Sequence, residues 1–325
     1  MNTRAWHTLQ QFALMGAASL GLACSNYGPT AGTESGVWSA GTALHSTVVG
    51  PLTRTFLVHV PAHRRVSTAG LTLAWPLVIV LHGSSGDATA IEHQSNMDSL
   101  ADAQRFLVAY PNGTGGDFGL YPSDWNAGNC CGGANRDNID DLGFISALVG
   151  LVGAHMPLDT RRVYVAGFSS GGYMAYYAGC QLSPTIAAIG VVSGSLAYDS
   201  CHPPKAVPLF AVHGTDDPEV PYDQSAPPPP GTVPALAAAL PPSVQFWSAL
   251  DGCAAKAAKA STKTTSAHVV QTNFTSCTSA DVDFYSISGG THGWPGGPDD
   301  PGSQPPMNEI NASVLMWQFF IAHVR

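Results

Sequence analysis

A serine between two glycines carries the first chemical signal in this chain. Ser169 lies at the centre of a G-x-S-x-G pattern, with Gly167 before it and Gly171 after it. The apolar run before the pattern predicts a buried parallel strand, and the residues after it predict a helix. A serine on such a sharp turn needs neighbours without bulky side chains. Glycine-rich turns that only pack share this pattern, but the flanking strand and helix favour a nucleophile.

A serine nucleophile needs a general base, which in turn is oriented by a carboxylate. Among the twelve histidines, His292 is the best candidate because it follows a predicted strand within glycine-rich sequence. His82 and His213 also end predicted strands, but each precedes a glycine inside a turn. For these two, an imidazole bonded to the backbone is the simpler interpretation.

Two neighbouring aspartates, Asp216 and Asp217, follow the strand that ends near residue 212, and either could orient the base. With Ser169 and His292 they give the chain order Ser…Asp…His that is typical of α/β-hydrolases. An oxyanion hole requires two backbone N–H groups. We expect them from Ser170, directly after the nucleophile, and from the loop after the PLVIVL strand, where Ser84 lies.

The remaining pattern predicts elements that would position these residues in an α/β fold, with a mostly parallel doubly wound sheet and helices on both faces. Between the strands, residues 114–138 form a long loop, and the proline-rich segment 224–242 is either a solvated loop or a lid. Predicted strands cover residues 54–60, 71–81, 106–110, 161–166, 187–193, 208–212 and 282–287. Predicted helices cover residues 88–104, 139–155, 171–179, 243–251 and 310–324.

Composition narrows the choice of partners. The net charge of −9 argues against nucleic acid or an anionic membrane as the main partner. No C-x-x-C pair or clustered histidine and cysteine spacing suggests zinc, so we expect neither a metal nor a cofactor.

The N-terminal residues indicate export. Residues 1–23 resemble a signal peptide, residues 24–50 predict a flexible lead-in, and residues 51–325 predict a single catalytic domain. Cys24 followed by Ser25 also resembles a lipid attachment site, although Gly21 departs from that pattern. We therefore expect a secreted or periplasmic protein, with a surface lipoprotein as the alternative.

The cysteine count fits export. Of seven cysteines, six remain when Cys24 is set aside, and disulfides are the default interpretation in an exported chain. Six cysteines allow fifteen pairings, among which spacing alone does not choose.

Seven segments occur in order along the chain: LHGSSG, YPNG, WNAGNCCG, NIDDLGF, GFSSGGYMAY, HGTDDPEVPY and GGTHGWPGG. Together they resemble the secreted esterases that group poly(3-hydroxybutyrate) depolymerases with feruloyl and acetylxylan esterases, carbohydrate esterase family one. The resemblance covers roughly residues 52–324. It implies an α/β-hydrolase fold of about eight or nine strands. It also implies Ser169 as nucleophile, Asp217 rather than Asp216 as the acid, His292 as base, and oxyanion amides at Ser84 and Ser170.

The same resemblance implies that Trp125 and Trp294 flank the acyl group. It further implies two disulfides, Cys180–Cys201 and Cys253–Cys277. Cys130 and Cys131 are then left over, as a strained vicinal disulfide or as two thiols. The chain departs from the family at Ser84, where cysteine is frequent, and in having no polymer-adsorbing module.

We therefore expect a monomeric, exported serine carboxylic-ester hydrolase that acts through an acyl-enzyme on a small or oligomeric ester. Feruloyl and related plant-wall or short-chain esters rank above polyhydroxyalkanoates. A peptidase on the same fold and a non-catalytic surface binding protein are the alternatives from other classes.

Overall fold

The computed structural model describes residues 36–63, 73–116, 122–223, 240–253, 259–275, 277–298 and 307–325. These residues belong to one compact unit, Glu34–Arg325. The predicted signal peptide, Cys24 and residues 224–239 of the proline-rich segment lie outside the described residues.

A single sheet organises the described part of the chain. Its ten strands lie in the order β1-β2-β4-β3-β5-β6-β7-β10-β9-β8. The strands are β1 (Gly41–Val49), β2 (Leu52–Val60), β3 (Trp75–Leu81), β4 (Leu107–Pro111), β5 (Leu158–Phe168), β6 (Ala188–Val192), β7 (Leu209–Gly214), β8 (Lys259–Thr264), β9 (Val269–Thr275) and β10 (Val282–Ile287). The six strands in the middle of the sheet run parallel to one another: β4, β3, β5, β6, β7 and β10. Antiparallel strands flank them on both sides, β2 and β1 next to β4, and β9 and β8 next to β10.

Helices cover both faces of the sheet, which confirms the predicted fold class. They are α1 (Ala88–Ser95), α2 (Met97–Gln104), α3 (Gly132–Arg136), α4 (Asp141–His155), α5 (Ser170–Gln181), α6 (Pro242–Leu250) and α7 (Ala312–Ala322). Strand β3 is buried throughout, and its side chains point alternately into two hydrophobic cores on opposite faces of the sheet. Leu77, Ile79 and Leu81 pack in the core that includes α4, α5 and α6, whereas Val78 and Val80 pack in the core that includes α1, α2 and α7.

The structure corrects the predicted flexible lead-in. Residues 41–49 of the segment 24–50 form β1, which pairs with β2 over its whole length. His45 is buried, with its ring stacked against Trp38 at 4.0 Å and tilted against Phe56 at 5.8 Å. Backbone pairing and this aromatic cluster order a segment whose glycine and threonine content suggested a linker.

Two further predictions of local structure were wrong. The predicted helix 88–104 is two helices, because Asn96 adopts a left-handed conformation with φ of 48° between them. The sheet exceeds the expected eight or nine strands because β8 and β9 form an antiparallel pair at its end. The segments of these two strands are rich in threonine, serine and lysine and lack the apolar runs of the central strands.

Three disulfides join cysteines of the described part of the chain: Cys180–Cys201, Cys253–Cys277 and Cys130–Cys131. The first two are the pairs that the family resemblance implies, and the third takes the vicinal form. The first two bridges span 21 and 24 residues. Loops of this size stabilise the folded state by about 3 kcal/mol each in the chain-entropy model. Cys277 lies shortly before β10, so the second bridge restrains the approach to the loop that carries His292.

Asp251, directly after α6, is a buried acid with an unusual environment. Its side chain is fully buried, and neither carboxyl oxygen has a hydrogen-bond partner among the described residues. Burial, with a smaller contribution from the charge of Asp281, raises the pKa of Asp251 to about 8. Between pH 4 and pH 8, roughly, the folded state keeps this proton while the unfolded state releases it. The free energy of unfolding therefore falls as the pH rises through this range.

Asp251→Asn is expected to raise the melting temperature at pH 8 by at least about 3 °C, because the amide carries no charge to bury. At pH 3 the two proteins should melt at nearly the same temperature, since Asp251 is then neutral in the folded state and mostly neutral in the unfolded state. Thermal unfolding followed by circular dichroism at both pH values measures the difference. Asp281→Asn, which alters a partly exposed carboxylate, is the control and should have a smaller effect. An equal shift at both pH values would contradict this assignment.

No helix in the described ranges is long and apolar enough to cross a membrane.

Candidate active site

Ser169 occupies a sharp turn between β5, which ends at Phe168, and α5, which begins at Ser170. Its φ of 53° and ψ of −121° are rarely adopted by residues other than glycine. The turn is held because Ser169 N donates to Val192 O at 3.0 Å and Gly172 N donates to Ser169 O at 2.8 Å. The hydroxyl-bearing residue is therefore fixed at the carboxyl edge of the parallel strands.

The glycines around Ser169 are required by close backbone approaches. A Cβ on Gly167 would collide with the carbonyl of Gly171, and one on Gly171 would collide with the carbonyls of Leu81 and His82. The pattern that marked the turn in the sequence thus reflects the packing of α5 against the end of β3.

The loop after β3 lies against this turn. A Cβ on Gly83 would be 3.1 Å from Ser169 Cβ, so the next residue, Ser84, is close to the serine. Within the described part of the chain, the backbone N–H groups of Ser84 and Ser170 have no recorded acceptor. Ser170 is also the first residue of α5, where the helix dipole favours negative charge. Ser84 and Ser170 therefore remain the expected sources of the oxyanion amides.

A buried aspartate that the sequence analysis did not single out supports the Ser84 loop. Asp124 accepts a hydrogen bond from Ser84 Oγ at 2.8 Å and another from Trp125 N at 2.9 Å. Trp125 Nε1 donates to His82 O at 2.9 Å, which ties the same two loops together a second time. The only sequence signal for Asp124 is its place in the long loop directly before Trp125.

The carboxylate of Asp217 contacts His292. His292 Nδ1 lies 2.8 Å and 3.0 Å from the two carboxylate oxygens, and the aspartate side chain is fully buried. The backbone N–H groups of Glu219 and Val220 also donate to Oδ1, at 3.0 Å and 2.9 Å. His213 Nε2 lies 3.4 Å from Oδ2.

Electrostatics keep Asp217 ionised. Burial by itself would raise the pKa of Asp217, but hydrogen bonds from His213, His292 and Val220 N outweigh it and hold the pKa well below its usual range. A permanently charged carboxylate at Nδ1 leaves the Nε2 atom of a neutral His292 as the proton acceptor. The neighbouring Asp216 is exposed and accepts from Thr215 Oγ1 at 2.8 Å, so it does not take this position.

The imidazole of His292 adjoins the serine turn through Phe168. The rings of these two residues are 4.7 Å apart, and Phe168 directly precedes Ser169. Among the described residues, no hydrogen bond between Ser169 Oγ and His292 Nε2 is recorded. Catalytic hydrogen bonds of this kind are often long in a free enzyme and shorten when substrate binds.

Both tryptophans expected to flank an acyl group are buried. Trp125 lies in the loop just described, and Trp294 Nε1 donates to Ser313 Oγ of α7 at 2.9 Å. Neither indole offers exposed surface, so their contact with an acyl group stays a prediction.

Tyr173, one turn into α5, is half-buried, and burial together with the charge of Asp217 raises its pKa. The sequence analysis did not single out this tyrosine, which is close enough to Asp217 for the aspartate charge to affect its pKa.

Sequence comparison finds similarity to esterases over part of the chain. A family model described as Esterase PHB depolymerase matches residues 66–223. The bifunctional acetylxylan esterase/xylanase of Neocallimastix patriciarum is 32% identical over 149 residues, covering 46% of this chain and 20% of that protein. Feruloyl esterase B of Piromyces equi is 34% identical over 155 residues, covering 46% of this chain and 27% of that protein. The chain thus spans 20% to 27% of the length of these two relatives.

Structural comparison shows the same architecture. The acetyl xylan esterase from Aspergillus awamori superposes with a TM-score of 0.53 at 16% identity, covering 77% of this chain and 94% of that one. The described sheet, its helices and the serine turn therefore form the α/β-hydrolase fold. The match over residues 66–223 and the names of the two relatives confirm the resemblance of this chain to esterases of the poly(3-hydroxybutyrate) depolymerase, feruloyl esterase and acetylxylan esterase kinds.

Proposed function

We propose that the protein is a serine carboxylic-ester hydrolase with Ser169 as nucleophile, His292 as base and Asp217 as the residue that orients the base. The observation that carries this proposal is the bond between the buried Asp217 carboxylate and His292 Nδ1, beside a serine held at a φ of 53°. A binding protein that had lost catalysis would gain nothing from maintaining either arrangement.

The reaction follows from these positions. Ser169 Oγ attacks the ester carbonyl while His292 Nε2 accepts the hydroxyl proton, and the developing oxyanion binds the N–H groups of Ser84 and Ser170. The same nitrogen then gives the proton to the departing alcohol, which leaves an acyl-enzyme. Water activated by His292 releases the acid and restores Ser169.

For the substrate we propose feruloyl and acetyl esters of plant-wall type and related short-chain esters, because the two curated relatives described above carry those names. Hydroxybutyrate oligomers are the second candidate, favoured by the description of the matching family model.

We propose that the protein is exported, because its cysteines form disulfides. Disulfides persist in oxidising compartments, and the pairs Cys180–Cys201 and Cys253–Cys277 fit a secreted or periplasmic protein. A lipid anchor at Cys24 and a monomeric state remain predictions. Intact-mass measurement of the protein purified from its native membrane and soluble fractions tests the anchor.

A substrate panel tests the activity. Methyl ferulate, p-nitrophenyl acetate, p-nitrophenyl butyrate and hydroxybutyrate oligomers are compared by kcat/KM, with an amide of the same acyl group as the test for peptidase activity. Hydrolysis of at least one ester, together with labelling by a fluorophosphonate probe, is the expected result. Failure of both would favour the non-catalytic binding protein, and faster amide than ester cleavage would favour a peptidase.

A further inference from the structure

We infer that Glu219 makes this site select against substrates and products that carry a carboxylate. The inference rests on the proposed ester hydrolysis and adds a specificity-determining residue to it. Glu219 Oε2 lies 3.6 Å from Nε2 of His292, and the glutamate side chain is 69% exposed. Because Nδ1 is bonded to Asp217, Nε2 is the nitrogen that faces the reacting groups. The carboxylate of Glu219 therefore lies next to Nε2 of His292, the atom that accepts the proton.

The backbone of Glu219 is fixed by the acid of the same site. Its N–H donates to Asp217 Oδ1 at 3.0 Å, and the next residue, Val220, donates to that oxygen at 2.9 Å. Val220 O in turn accepts from His213 Nε2 at 2.7 Å. The backbone position of Glu219 is thus fixed relative to Asp217 and His292, although the glutamate side chain is exposed.

The neighbouring loops do not neutralise this charge. Residues 215–223, which follow β7, contain four acidic residues and neither lysine nor arginine. The loops 82–87 and 288–298, which follow β3 and β10, also contain neither lysine nor arginine. Arg136, on α3 after β4, is paired with Asp137 at 2.6 Å. Taken together, the three loops after β3, β7 and β10 therefore carry acidic residues and no lysine or arginine.

An ester with a free carboxylate near its scissile bond meets this charge on entering the site. Two negative charges about 6 Å apart, partly exposed to water, disfavour binding by roughly 3- to 10-fold. A neutral ester meets no such penalty. The acid released by hydrolysis is ionised at neutral pH, so the same repulsion promotes its departure. This favours neutral feruloyl or acetyl esters over short hydroxybutyrate oligomers, whose free end is a carboxylate.

A matched pair of esters tests the inference. p-Nitrophenyl butyrate and the p-nitrophenyl monoester of succinate share a leaving group and have acyl groups of similar length, but only the second carries a charge. We expect Glu219→Gln to raise the ratio of kcat/KM for the succinate monoester to that for the butyrate ester by about 3- to 10-fold. Any effect of the lost charge on His292 itself is common to both esters and cancels in this ratio. The gain should shrink in about 0.5 M salt, which screens exposed charges.

Asp216→Asn is the matched control. It removes a carboxylate from the same loop whose recorded side-chain partner is Thr215 rather than His292, so it should change the ratio of the two esters less than Glu219→Gln does. An unchanged ratio in Glu219→Gln, or an equal loss on both esters, would overturn the inference while leaving the hydrolase assignment intact. If the unaltered protein hydrolyses neither ester nor any other member of the substrate panel, the proposed function fails and the inference falls with it.

Discussion

Ser169→Ala is expected to lower kcat for ester hydrolysis by about 10⁴-fold or more while leaving the fold intact. The loss is this large because the alanine variant has no atom that can form the acyl-enzyme. Residual turnover would come from the oxyanion amides of Ser84 and Ser170, which belong to the backbone and survive the substitution. Initial rates with p-nitrophenyl butyrate and the far-ultraviolet circular dichroism spectrum measure the two parts of this prediction.

Ser193→Ala provides the matched control for that experiment. Ser193 also follows a central strand, is buried and has a positive φ of 48°, and its hydroxyl has no recorded partner among the described residues. Its removal should change kcat by less than about 3-fold, since no hydrogen bond is lost. Fluorophosphonate should label the Ser193→Ala protein and not the Ser169→Ala protein. Equal activity of the two variants would remove Ser169 from the mechanism.

The serine turn and the central sheet could be predicted from sequence because their constraints are local. Strand β3 is continuously apolar since it is buried on both faces, and the glycines of the turn are dictated by backbone contacts within a few residues and with β3. The order of nucleophile, acid and base then follows from the connectivity of the parallel strands. The choice between Asp216 and Asp217 required the family resemblance. The two are adjacent aspartates in the same loop, and the sequence does not show which side chain points towards His292.

Other features could not be predicted because long-range contacts determine them. Asp124 supports Ser84 from 40 residues away, and nothing in its own neighbourhood indicates that partner. Strand β1 is ordered by pairing with β2 and by ring stacking, which its composition does not reveal. The proximity of Glu219 to His292 likewise depends on how the loops after β7 and β10 meet. Of these contacts, the one between Glu219 and His292 is the one that we propose to affect the choice of substrate.

Asp217→Asn is expected to lower kcat/KM by about 10³- to 10⁴-fold through the tautomer of His292. The N–H groups of Glu219 and Val220 both donate to Oδ1 of Asp217, so in the variant the amide oxygen should keep that position. The amide NH₂ would then occupy the place of Oδ2 and donate to His292 Nδ1. The imidazole would have to carry its proton on Nε2, where it cannot accept the proton of Ser169.

The neighbouring aspartate makes this prediction specific. Asp216→Asn changes the same kind of side chain one residue away, but Asp216 is exposed and bonded to Thr215, so a loss below about 3-fold is expected. Nitrogen-15 chemical shifts of the His292 ring report the tautomer directly and would not move if Asp217 were merely structural. The proposed geometry requires Nδ1–H in the unaltered protein and Nε2–H in Asp217→Asn. Equal losses in the two aspartate variants, or an unchanged tautomer in Asp217→Asn, would show that the orienting acid lies elsewhere.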